Sequence, residues 1–175
     1  MTIIGIFCGI AVAILILHLI APKNFDVSRT IVINRPKNIV FEDLKSLKRQ
    51  NQWSAWARKD PQMQERFTGI DGQVGAISQW KGNKQVGEGE QEITKIVEGE
   101  RVETELRFLK PFKSTSKAYL VTEEVDPAST RVTWGFTGKN KFPMTLFSLV
   151  MNMDRVLGKD FEQGLGLLKE QLERS

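Results

Sequence analysis

The period of the hydrophobic positions changes several times along the chain, and each change marks an element. Ile3 to Ala21 is apolar throughout except for His18. Roughly 19 helical residues at ~1.5 Å each span ~28 Å, close to a bilayer's hydrocarbon thickness, so this run is predicted to be a transmembrane helix. Ser28 to Asn34 alternates β-branched and polar residues as a short strand. Asn34-Arg35-Pro36 ends it, and Pro36 suits a first helical turn. Ile39, Val40, Phe41, Leu44 and Leu47 then recur at helical spacing. A further helical turn or two is expected to carry Trp53, Ser54, Ala55 and Trp56, ending before Asp60-Pro61.

Beyond Met63 the period falls to two, with turn signals between strands expected near 64–69, 76–82, 86–97, 101–109, 114–124 and 130–138. Val102, Thr104, Leu106 and Phe108 alternate with Glu103, Glu105 and Arg107. Val132, Trp134 and Phe136 alternate with Arg131 and Thr133. An antiparallel meander with one apolar and one charged face is covered on one side only. The cover is C-terminal: Leu146, Val150, Met153 and Leu157 make one helical stripe, which Phe161, Leu165, Leu168 and Leu172 continue. Gly158 is expected to kink or break this helix, with Asp160 capping the renewed portion. A long helix over an antiparallel sheet is an α+β layout.

The chain thus divides into an apolar anchor, 1–22, and one domain, 23–175. No basic residue precedes the apolar run, and Pro22 follows it directly, which fits a retained anchor better than a cleaved signal peptide. Lys23, Arg29, Arg35 and Lys37 flank its C-terminal side, so the domain is expected on the cytoplasmic face of an inner, single-pass membrane arrangement. The single Cys agrees with a domain that depends on no disulfide. A net charge of +4 favours an anionic membrane surface. Without a groove-reading helix or aromatic single-strand motif it does not point to nucleic acid.

The catalytic inventory is thin. His18 is the only His and Cys8 the only Cys, both in the apolar run. No His-based triad or imidazole metal site can form in the domain, and no catalytic, metal or cofactor residue is assigned. Glu88, Glu90 and Glu92 share one strand face and read as a solvated surface balanced by basic neighbours. Gly87 and Gly89, opposite them, leave room for a ligand or a packed element. Asn152 and Asp154 read as helix surface. Successive meander turns fall at alternate ends of the sheet. One end collects Ile70-Asp71-Gly72, Glu98-Gly99-Glu100 and Val125-Asp126-Pro127, which is acidic. The other collects Gly82-Asn83-Lys84, Lys110-Pro111-Phe112-Lys113 and Lys139-Asn140-Lys141-Phe142, which is basic with two Phe.

Five stretches carry a family resemblance: RTIVINRPKNIVFEDL (29–44), NQWSAWARKDP (51–61), GEGEQEITKIVEGERV (87–102), TRVTWGFTG (130–138) and GKDFEQGLGLLK (158–169). In this order they resemble the START-like polyketide cyclase/dehydrase (SRPBCC) superfamily, in particular its small membrane-anchored bacterial members. The resemblance implies a helix-grip (Bet v 1/START-like) fold, a curved antiparallel sheet of about seven strands gripping the long C-terminal helix. It also implies an internal cavity for an apolar ligand. The large side chains that could wall it are Trp53, Trp56, Phe67, Trp80, Leu106, Phe108, Tyr119, Trp134, Phe136, Phe147 and Met151. Tyr119, the only Tyr, would orient a ligand or act as a weak acid if it points inward. In the resembled fold the first strand starts at the basic end, so the anchor enters beside the cavity mouth. Lys110, Phe112, Lys113, Lys139, Lys141 and Phe142 are then expected to face the membrane.

The resulting expectation is a membrane-tethered binding module for a hydrophobic small molecule or lipid, without a cofactor. Two alternatives stand beside it. One is a cyclase or dehydratase working through a Tyr or carboxylate relay; the other is a protein-interaction or chaperone-like module with a filled core. An inward Tyr119 beside a carboxylate would favour the enzyme, and an unbroken apolar wall the binder.

Overall fold

The alternation along the strands becomes one antiparallel sheet. A computed structural model describes residues 9, 12, 14–139, 145 and 152–174. Strands β1 (Asn24–Ile33), β2 (Gln64–Thr68), β3 (Ile77–Lys81), β4 (Glu88–Val97), β5 (Arg101–Lys110), β6 (Ser114–Asp126) and β7 (Ser129–Lys139) form a seven-stranded sheet in the order β1-β7-β6-β5-β4-β3-β2. Short helices α1 (Lys37–Leu44) and α2 (Leu47–Trp53) join β1 to β2, and α3 (Met153–Arg174) follows β7. Sheet and C-terminal helix agree with the helix-grip expectation. β1 starts at Asn24 rather than Ser28, which adds Phe25 and Val27 to the face that carries Ile31 and Ile33.

Local chemistry explains the short helices. The Pro36 carbonyl accepts from the amides of Ile39 and Val40 and so opens α1. Ser46 caps α2, its Oγ accepting from the Arg49 amide at 3.2 Å. Asp71, from the turn between β2 and β3, accepts from the Ser46 hydroxyl at 2.6 Å and the Leu47 amide at 2.8 Å. That carboxylate satisfies donors a helix start would otherwise leave unpaired. α2 ends at Trp53 because Ser54 is extended, with ψ 120°. Trp56 therefore lies beyond the helix, before a 3₁₀ turn over Ala57–Lys59.

The helix α3 runs without a break through Gly158, contrary to the expectation that the glycine could end it. The glycine is there for a different reason. A Cβ on it would stand 2.0 Å from the Arg29 guanidinium, which reaches across α3 to Asp154 at 2.8 Å and Glu162 at 2.7 Å. Asp154 is thus an ion-pair partner as well as a surface residue. Asp160 caps nothing; it pairs with Lys59 at 2.6 Å. Leu165, Leu168 and Leu172 pack with Ile33, Val40, Leu44, Leu120 and Val132 as a dry core toward the acidic-turn end. Residues 14–20 are helical, and His18 Nδ1 lies 2.7 Å from Thr145 Oγ1. Among the described residues no helix is long and apolar enough to cross a membrane. Much of the predicted span (1–8, 10, 11 and 13) lies outside them.

Candidate functional site

Strand parity decides which aromatic side chains meet. Leu106 and Phe108 on β5 and Trp134 and Phe136 on β7 share the face turned toward α3, as the alternation predicted. Phe25 joins them from β1 and Phe161 from α3. Trp134 stacks on Phe161 with centroids 4.4 Å apart, and Trp53 meets Trp134 edge-on at 5.3 Å. Phe108 lies edge-on to Trp80 at 5.8 Å and to Phe136 at 6.4 Å. The rings do not fill the space between sheet and helix. They wall a cavity of about 1300 Å³, well beyond the size of an ordinary packing defect.

Seven predicted wall residues line this cavity: Trp53, Trp56, Trp80, Leu106, Phe108, Trp134 and Phe136. Two do not. Phe67 packs beside Phe41, Leu47 and Ala76 in a separate cluster, because residue 67 of β2 pairs with Ser78 at the outer edge of the sheet. Tyr119 points to the other face of β6, between Glu103 and Gly135 in register, with the Arg101 guanidinium 4.5 Å above its ring. Its position removes it from any relay in the cavity. Phe147 and Met151 lie outside the described residues. Phe25, Leu157 and Phe161 are wall residues that the sequence reading did not assign to the pocket. Extending the β1 alternation backward to Phe25 would have found one of them.

The cavity reaches the basic end of the sheet. Lys110, Phe112, Lys113 and Lys139 line the cavity there, and Phe112 is 60% exposed. Asn24 pairs with Lys139, so β1 begins at that end. Lys110 is an ion-paired charge rather than a free one: its Nζ lies 2.8 Å from Glu88, whose carboxyl it holds below the usual range. Lys141 and Phe142 lie outside the described residues.

The carboxylates of β4 face away from the cavity. Arg107 bonds Glu90 at 2.6 Å, Glu92 at 2.7 Å and Glu105 at 2.8 Å on the opposite sheet face. Hydrogen bonds from Gln79 and Arg107 hold the Glu90 carboxyl below its ordinary range. Gly89 makes room for neither the helix nor a ligand. A Cβ there would stand 2.6 Å from the Arg107 carbonyl oxygen and 2.6 Å from the Trp80 ring, which crosses it. Behind the wall, Trp53 Nε1 donates to Asp43 at 3.2 Å. Burial raises the Asp43 carboxyl above its ordinary value, outweighing that bond and the nearby Arg49. Among the described residues no three His, Cys, Asp or Glu side chains converge as metal ligands.

A family model described as "Polyketide cyclase / dehydrase and lipid transport" matches residues 24–173. Solved structures share the fold. Norcoclaurine synthase from Thalictrum flavum, in complex with dopamine and hydroxybenzaldehyde, aligns over 91% of this chain and 91% of its own at TM-score 0.66 and 6% identity. A Mesorhizobium loti protein aligns over 86% and 98% at TM-score 0.62 and 14% identity. The di-domain ARO/CYC protein BexL aligns over 89% of this chain and 52% of its own, at TM-score 0.60 and 14% identity. Among curated proteins no relative matches the sequence.

Proposed function

The chain belongs to the polyketide cyclase/dehydrase and lipid transport family, and from that premise we propose that it is a membrane-tethered module that takes a hydrophobic small molecule or lipid into its cavity. The observation that carries this reading is the cavity of about 1300 Å³ walled by aromatic rings from β1, β3, β5, β7 and α3. Such a wall binds apolar surface without demanding one shape, and its rings pack against flat or chain-like molecules. In this reading the apolar run Ile3 to Ala21 supplies the tether, and the pairing of Asn24 with Lys139 supports an attachment point beside the mouth. Lysines near anionic headgroups contribute ~1 kcal/mol each, and Phe112 is the exposed apolar residue that would enter the interface.

Native mass spectrometry of the purified protein, with organic extraction of whatever accompanies it, tests the cavity. A defined bound mass is expected. A protein that stays empty after incubation with total membrane lipid would sink the reading. The orientation has its own test. Replacing Lys110, Lys113, Lys139 and Lys141 by Glu in a chain lacking residues 1–22 should weaken binding to anionic vesicles. Unchanged binding would place the mouth away from the bilayer.

A further inference from the structure

Away from the basic turns, α2, β3 and β4 bring uncharged polar side chains to the cavity wall beside Trp53 and Trp80, and the hydrogen bonds there have a fixed direction. Gln50, on α2, is 8% exposed. Its Nε2 donates to the Leu44 carbonyl at 2.7 Å. A carbonyl can only accept, so this bond sets the Gln50 amide with its Oε1 toward β4. There Oε1 accepts from Gln91 Nε2 at 3.1 Å. The second hydrogen of the same Nε2 goes to Thr104 Oγ1 at 3.2 Å. Both donors of Gln91 are therefore used, and the Leu44 carbonyl has dictated its orientation through one intermediate amide.

What remains is the Gln91 Oε1. Gln91 lines the cavity, and no described side chain or amide donates to that oxygen. No buried side-chain oxygen among the described residues is left without a partner, so the Gln91 Oε1 is open to the cavity. Ser78, its cross-strand partner in register, is only 6% exposed and also lines the cavity. Its Oγ has no described partner either. Side chains directly opposite on one sheet face have Cβ atoms ~5 Å apart, so a single group can reach both. Every lining side chain from α2, β3 and β4 is uncharged; the charged ones belong to β1, α3, β6 and the strand ends and turn at the mouth.

We propose that Gln91 and Ser78 form a polar subsite for a neutral hydroxyl on an otherwise apolar ligand. The hydroxyl donates to the Gln91 Oε1 and accepts from the Ser78 hydroxyl, which satisfies both open groups at once. The ligand class is an apolar alcohol or phenol. A carboxylate would meet the Gln91 oxygen lone pairs with no cation to offset its charge, and a hydrocarbon would leave two buried polar groups dry. This deepens the cavity reading and rests on it.

Calorimetric titration of the full-length protein with naphthalene, 2-naphthol and 2-naphthoate separates the two. The expected result is 2-naphthol binding roughly tenfold more tightly than naphthalene, the effect of about one net hydrogen bond, while any binding of 2-naphthoate, whose charge the cavity's lysines can hold, is not weakened by Gln91→Met or Ser78→Ala. Gln91→Met and Ser78→Ala should each erode that preference, 2-naphthol weakening while naphthalene binds at least as tightly as to the parent because one dry polar group is gone, which also reports that the cavity of the variant is intact. Equal affinity for naphthalene and 2-naphthol, or a 2-naphthol preference that survives both substitutions, would overturn the subsite and leave the cavity reading standing. Binding of none of the three would overturn both.

Discussion

The two ends of the space between sheet and α3 are built from the same strands by the same alternation, yet one is packed and the other hollow. On β7, Val132 is fully buried in the dry core, whereas Phe136, two turns of the pleat further on, lines the cavity. On α3, Leu165 and Leu168 belong to the packed end, and Leu157 and Phe161 to the hollow one. At the packed end α1 inserts Val40 and Leu44 against the sheet and fills the space. At the hollow end no element among the described residues does this; α2 turns away after Trp53 and the described rings stand around the perimeter of the gap. Hydrophobicity alone thus does not distinguish a core from a binding site. What distinguishes them is whether a third element supplies side chains to the middle.

The contrast predicts unequal costs. Leu168→Ala at the packed end should destabilise by about 2–5 kcal/mol through a new closed void. Phe108→Ala, facing space already open, should cost less than half as much. Denaturant midpoints of the two variants check this, and equal losses would mean that the hollow end is collapsed in solution. Gly89→Ala comes next. The Arg107 carbonyl it would strike belongs to the ladder and cannot swing aside, so a loss of about 1–3 kcal/mol is expected, together with altered tryptophan fluorescence as Trp80 is displaced. Unchanged stability and emission would show that β4 and β5 are not held this closely.

The smallest effect concerns pH. The folded protein favours the neutral form of Asp43, whose carboxyl lies above its ordinary 3.8. The stabilisation from that proton is complete below 3.8 and is lost as pH rises through the folded value. Asp43→Asn keeps an acceptor for Trp53 Nε1 without the charge. Its stability relative to the parent should therefore increase between pH 4 and pH 7, measured as the difference in urea midpoint. A constant difference across that range would mean that Asp43 is already well solvated.

Much of the architecture was legible in one dimension. Every strand was placed within a few residues, because strict alternation and glycine-rich turns act locally. The outward face of Glu88, Glu90 and Glu92 followed from the same parity. The failures share a cause. Gly158 looked like a helix breaker, but the reason for it is Arg29, far away in sequence on β1. Tyr119 and Phe67 stand out in the sequence by size, but the face of β6 and the sheet edge that they occupy are set by strand register and order. Gln50, Gln91 and Ser78 gave no signal at all, since isolated polar residues in amphipathic segments normally read as surface.

Period, turn chemistry and charge placement were enough to establish an α+β meander under a long helix, with its basic turns gathered at one end. These are properties of neighbouring residues and need no partner. That the basic end holds an open cavity depended on α1 filling one half of the interior and α2 leaving the other. That two of its polar groups face the cavity unpaired depended on a chain of hydrogen bonds from Leu44 through Gln50 to Gln91. Both are relations between residues distant along the chain, and only their meeting in space decides them.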